Sequence, residues 1–262
     1  MTTLRSRLGR FGHLPAAAVS TTLASAVPLA LGTALAAAVG VRRALPRRVR
    51  PTTDANAPRG SGPVVLVGGF CVTEQVLAPL RDWLMQLGYD VLTHTATAGM
   101  GCGGRSVDTV RATLRQAAAR DGDGVGVRVV GYSRGGQFAR VAVRDADVPI
   151  RALVTLGTPF DPFVVGPLAV LPAAAVAVAG SIGATGLASL SCLSGDCCKT
   201  FRRGLLAPVD VPFTSVYSRR DAMVPWRSAR DGSARNVEIS GCHLGLLDGP
   251  DARAAVAEAL AA

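Results

Sequence analysis

Val127-Arg128-Val129-Val130-Gly131-Tyr132-Ser133-Arg134-Gly135-Gly136-Gln137-Phe138-Ala139 reads as a short apolar strand that turns into a helix through a serine set among glycines. A serine on such a turn takes a strained backbone conformation that pushes its hydroxyl out over the carboxyl edge of a sheet. The flanking glycines leave no side chains to collide there. Ser133 is therefore the candidate nucleophile, with Gly131 and Gly135 shaping the turn.

On either side of this stretch, short apolar runs alternate with amphipathic ones. Val64 to Val67 precedes Thr73 to Leu87, Val91 to Thr93 precedes Ser106 to Ala119, and Val127 to Val130 precedes Arg134 to Arg144. Strands apolar without a period of two are covered on both faces, so the pattern predicts a mostly parallel sheet between layers of helices. Thr73 and Ser106 stand where helix N-caps belong. Further strands are expected at Ala152 to Leu156, Phe213 to Tyr217 and Val237 to Ile239, with a closing helix from Asp251 to Leu260, making six strands in an α/β domain. Between the fourth and fifth strands, Pro162 to Gly195 carries no charge and is too long for a simple loop.

A serine hydroxyl needs a base to take its proton, and the base needs an acid that fixes its tautomer. Of the three histidines, His13 lies near the amino terminus and His94 ends the second strand. His243 follows the sixth strand in Ser240-Gly241-Cys242-His243, at the edge of the sheet where Ser133 emerges. Asp221, after the fifth strand, is the expected acid, and Asp161, after the fourth, is the alternative. Charge developing on a substrate carbonyl oxygen calls for backbone N–H donors, each commonly contributing about 3 to 4 kcal/mol. The N–H groups of Arg134 and of Phe70, in the loop after the first strand, are the candidates.

The net charge of +10 does not indicate nucleic acid. Residues 1 to 50 hold eight arginines and no Asp or Glu, leaving 20 basic against 18 acidic residues beyond Pro51. The 28 residues from Leu14 to Val41 lack charge and are flanked by arginines. They read as a membrane anchor within 1–45, or as a cleaved signal peptide, with Ala34-Leu35-Ala36 as the cleavage site. Residues 46–62 read as a solvated linker, and 63–262 as the catalytic domain. The arginine count favours a cytoplasmic catalytic domain. Six cysteines, permitting up to 15 complete pairings, favour an extracytoplasmic one, or a secreted chain if the segment is cleaved. No CxxC or HExxH spacing occurs, so neither a metal nor a cofactor is expected. No protein partner is inferable.

These residues, with Gly157-Thr158-Pro159 closing the fourth strand, resemble the bacterial lipase and esterase branch of the α/β-hydrolase superfamily over residues 63 to 262. The resemblance implies the chain order Ser133, Asp221, His243 for a triad and a hydrolase of carboxylic or lipid esters, which the anchor reading of the amino-terminal segment would make membrane-associated. It also places a cap or lid at 162–195. Gly68 stands where that branch often carries His in a His-Gly pair, and the two extra amino-terminal strands of larger members have no counterpart. Acyl transfer to an alcohol would use the same triad. A binding module without catalysis is a further alternative, as is a dinucleotide enzyme suggested by Gly99-Met100-Gly101-Cys102-Gly103-Gly104. The uncharged insertion suits either an acyl-binding lid or a helix pair buried against the sheet.

Overall fold

A computed structural model describes residues 58–161 and 166–262. The membrane-anchor reading of 1–45 lies outside the described residues. Among the described residues no helix is long and apolar enough to cross a membrane.

The elements run β1 (Pro63–Val67), α1 (Glu74–Gln86), β2 (Asp90–His94), α2 (Gly103–Ala118), β3 (Val127–Tyr132), α3 (Arg134–Arg144) and β4 (Ile150–Leu156). After these come α4 (Pro167–Ser181), α5 (Ser191–Ser194), α6 (Lys199–Leu206), β5 (Phe213–Tyr217), β6 (Arg235–Glu238), α7 (Gly245–Asp248) and α8 (Pro250–Ala261). The six strands form one sheet in the order β2-β1-β3-β4-β5-β6, and every adjacent pair is parallel. All six expected strands are present. Because side chains alternate along a strand, Val64 and Leu66 face one core with α1 and α8. Val65 and Val67 face the other with α2, α3 and α6. Two buried faces explain why these strands show no polar alternation.

The chain moves outward from β1 to β2 and then returns to lay β3 on the other side of β1. Neighbouring connections therefore diverge at the carboxyl ends of β1 and β3, which opens a crevice there. Ser133 follows β3 into that crevice.

Helix starts depart from their expected caps. Thr73 does occupy the N-cap of α1, but its hydroxyl makes no cap hydrogen bond. Helix α2 begins three residues before Ser106, with Cys102 as N-cap, and the Ser106 N–H bonds to the Cys102 carbonyl. Tertiary packing decides this start, because Gly103 lies against the Phe201 ring, where a Cβ would clash. The same contacts account for the glycines of Gly99-Met100-Gly101-Cys102-Gly103-Gly104. A Cβ at Gly99 would run into the Gly69 carbonyl and one at Gly101 into Thr97, so these glycines serve packing.

Among the described residues one charged pair is largely buried. Arg140 of α3 binds Asp231 at 2.7 Å with side-chain exposures of 2% and 9%. It also donates to the Gly204 carbonyl and lies over the rings of Phe160 and Phe213. Removing one partner of such a pair leaves the other buried and uncompensated. Asp231→Asn is accordingly expected to lower unfolding free energy by about 3 kcal/mol in chemical denaturation, with Arg140→Met/Asp231→Leu recovering much of the loss.

Candidate active site

Ser133 has φ 55° and ψ −130°, in a region that non-glycine residues rarely adopt. Its neighbours hold it there. Its N–H donates to the Leu156 carbonyl at 2.8 Å, and its carbonyl accepts from the Gly136 N–H at 3.0 Å and the Thr158 hydroxyl at 2.9 Å. A Cβ at Gly135 would collide with the Val67 carbonyl, and one at Gly136 with Thr158. The turn therefore packs bare backbone against the ends of β1 and β4.

The structure brings Ser133, His243 and Asp221 into one hydrogen-bonded chain across 110 and 22 residues of sequence. His243 Nε2 lies 3.0 Å from Ser133 Oγ, and His243 Nδ1 lies 2.6 Å from Asp221 Oδ2. Asp221 is nearly inaccessible, and its other oxygen accepts the N–H groups of Met223 at 2.8 Å and Val224 at 2.9 Å. With Nδ1–H donated to the carboxylate, Nε2 is left to accept the Ser133 proton. The His243 loop is held in turn by the Tyr132 hydroxyl, which donates to the His243 carbonyl, and by Ser218, which donates to the Gly241 carbonyl.

Asp161, the alternative acid, is exposed and makes no hydrogen bond to His243. His94 sits between Thr113 and Thr109 hydroxyls, and burial holds its pKa below the ordinary histidine value. These contacts make His94 a packing residue. Burial likewise pushes the Cys71 thiol up to about 11, and Cys71 rests against Met100.

Phe70, Ser133, Arg134 and His243 line one cavity of about 330 Å³. Its walls are otherwise mostly apolar, with Ala169, Pro172, Ala173, Val176 and Ala177 of α4 above and Phe201 of α6 at one side. Among the described residues neither the Phe70 N–H nor the Arg134 N–H has a hydrogen-bond partner, as expected of Arg134 in the first turn of a helix. The Arg134 side chain is occupied elsewhere, donating to the Gly99 and Gly101 carbonyls at 3.1 and 3.0 Å.

The insertion over this cavity extends past 195 to include α6. Of the two readings open from sequence, a helix pair buried against the sheet does not fit. Helix α4 buries only Val176 and Ala177, with Leu168 and Leu171 exposed on its outside.

Sequence reasoning passed over three supports. Thr158 holds the Ser133 carbonyl, and Gly157, at φ 54°, lies beneath the His243–Asp221 pair, where a Cβ would come within 3.1 Å of Nδ1 and 3.2 Å of Oδ2. Third, four of the six cysteines, whose spacing suggested no metal site, gather beside the cavity. The Gly-Thr-Pro end of β4 signals the first two. Cys192, Cys197 and Cys198 signal the third only when joined by Cys102, 90 residues away.

No protein-family model matches the chain, and no curated protein matches it. Solved structures do. Bacillus licheniformis lipase BlEst2 in mature form is similar with a TM-score of 0.53 and 18% identity, over 74% of this chain and 90% of that one. A structure of the metagenome-derived lipolytic enzymes LipS and LipT gives 0.51 and 17%, over 74% and 90%. DcsB, solved with a substrate analogue, gives 0.56 and 14%, over 78% and 90%. The chain has the α/β-hydrolase fold, and its structural neighbours include lipases and esterases.

Gly157→Ala should place a left-handed backbone on an L-residue and push a methyl toward the His–Asp pair. The expected result is a loss of about 1–3 kcal/mol in stability. The downfield proton resonance of the short Nδ1–Oδ2 hydrogen bond should also weaken.

Proposed function

We propose that this chain is a serine hydrolase of carboxylic esters with an apolar acyl group. The observation that carries the reading is the continuous Ser133–His243–Asp221 hydrogen-bonded chain opening onto an apolar cavity. In the proposed reaction His243 Nε2 takes the Ser133 proton as Oγ bonds to the ester carbonyl carbon. Asp221 holds the imidazole tautomer and supports the imidazolium.

The carbonyl oxygen becomes an oxyanion between the Phe70 and Arg134 N–H groups. The tetrahedral intermediate collapses, His243 protonates the departing alcohol, and the acyl group stays on Ser133. Water then attacks the acyl carbon as His243 accepts its proton, and His243 returns that proton to Ser133 Oγ as the second tetrahedral intermediate collapses to carboxylic acid and free Ser133. Donors already aimed at the oxyanion need no reorganisation as charge develops, which is what makes fixed main-chain groups effective there.

The acyl group is assigned to the cavity because its α4 wall offers aliphatic side chains and no charge. Transfer of the acyl group to an alcohol would proceed through the same intermediate, and product analysis with an added alcohol separates the two.

A fluorophosphonate probe tests the nucleophile directly. Labelling is expected at Ser133 and lost in Ser133→Ala with the circular dichroism spectrum unchanged; labelling elsewhere, or none, would refute the proposal. Asp221→Asn should lower kcat by about 10⁴-fold, through the wrong histidine tautomer, while Asp161→Asn leaves it unchanged. Val176→Trp narrows the cavity from the α4 side. Turnover of long-chain esters should fall at least tenfold more than turnover of acetate esters, and an equal loss on both would remove the acyl group from the cavity.

A further inference from the structure

We infer that Cys102, Cys192, Cys197 and Cys198 form a structural zinc site that pins the cap to the sheet scaffold beside the cavity. The four sulfurs all lie within 4.8 Å of one another. Individual separations are 3.4 Å for Cys102–Cys198, 3.8 Å for Cys192–Cys197 and 3.9 Å for Cys197–Cys198. A zinc ion bound at about 2.3 Å by four thiolates in a tetrahedron separates its sulfurs by about 3.8 Å. Four sulfurs around one centre match that geometry. The thiols are all free, with no pair joined. An iron–sulfur cluster does not suit the same space, because its inorganic core holds the cysteine sulfurs farther apart.

The surroundings favour a dianionic tetrathiolate. Cys102 caps the amino terminus of α2, where the positive end of the helix dipole favours a thiolate. The Arg134 guanidinium is part-buried over the Phe138 ring and forms no ion pair with a carboxylate among the described residues; Cys198, Cys192 and Cys102, once ionised, would act on it as counter-charges. A part-buried cation is stabilised by a nearby opposite charge. A zinc tetrathiolate carries two negative charges, and Arg134 supplies one positive charge against them.

The loop carrying three of the ligands is already shaped for the ion. Arg202 donates to the carbonyls of Cys192, Ser194 and Gly195 at 2.9–3.1 Å. Gly104 lets the Cys197 carbonyl approach, since a Cβ there would stand 3.0 Å from it. Four residues lie between Cys192 and Cys197, within the usual ligand spacing, and Cys197 is exposed, which gives the metal an entry path. Binding replaces four thiol protons by one Zn²⁺ and releases those protons to solvent. With four sulfur ligands the site is closed to water and substrate, so its role is structural.

The test is metal analysis of the full chain produced with zinc in the medium. About one zinc per chain is expected in the wild type and in Cys242→Ser, which lies outside the cluster, with at least fivefold less in Cys102→Ser and Cys198→Ser. Should those variants fail to fold, cobalt exchanged into the wild type must show sulfur-to-cobalt charge transfer and tetrahedral ligand-field bands. Less than about 0.1 zinc per chain with four titratable thiols, two disulfides within the cluster by mass spectrometry, or cobalt spectra without thiolate ligation would each overturn the site. Ser133→Ala should retain its zinc, so this outcome is independent of the hydrolase reading.

Discussion

The positive-φ backbone at Ser133 is the constraint on which the rest of the site depends. A non-glycine residue in this conformation costs on the order of 1–3 kcal/mol and persists only where its surroundings over-determine it. Here they do so through close packing and hydrogen bonds at once. The Ser133 N–H is taken by the end of β4 and its carbonyl is doubly satisfied, while the turn lies so close to β1 and β4 that Gly135 and Gly136 admit no side chain. Relaxing the serine would leave a carbonyl that Thr158 and Gly136 now satisfy without those partners. The strained hydroxyl is thus a product of the parallel sheet that three strands build around it.

The same sheet edge positions the other two residues. Successive parallel strands all end on one side, so the loops after β5 and β6 converge on the turn after β3. Within that convergence Asp221 is fixed by two main-chain donors on one oxygen, which leaves the second oxygen directed at His243. Gly157 makes room below. Histidine orientation therefore rests on loop backbone, and the serine on strand termini, so distant parts of the chain meet within hydrogen-bonding distance.

Much of this was legible in the sequence because its causes are local. Short, mainly apolar runs are what doubly covered strands require, and all six strands stand where such runs were read, although the edge strands β2 and β6 are only partly covered. Gly131-Tyr132-Ser133-Arg134-Gly135 carries its own backbone geometry. His243 and Asp221 could be placed because each directly follows a strand. What was hidden depends on partners remote in sequence. The start of α2 is set by Phe201 and Cys197 packing on Gly103 and Gly104, so Ser106 gave a false cap. The cysteine cluster needs a ligand from the N-cap of α2 and three from the insertion, and no linear spacing records that meeting.

The insertion poses a physical problem that the cysteines bear on. Helix α4 must present aliphatic side chains to the cavity, yet it buries only two residues and leaves Leu168, Leu171 and Ile182 in solvent. Apolar burial along α4 therefore supplies little to order that helix against its conformational entropy. Further attachment comes from Leu187, which packs with Met100 and Cys71, from the Ala188 N–H bonded to the Met100 carbonyl, and from α6, where Phe201 packs on Phe138 at 5.9 Å. The four sulfurs lie at that same point, and Arg134 links it to the turn of Ser133. A cross-link there would fix α6 and the loop before it while leaving α4 free of any covalent restraint. Under the proposed function, such a division would suit a wall that admits an apolar acyl chain while the serine turn stays in place.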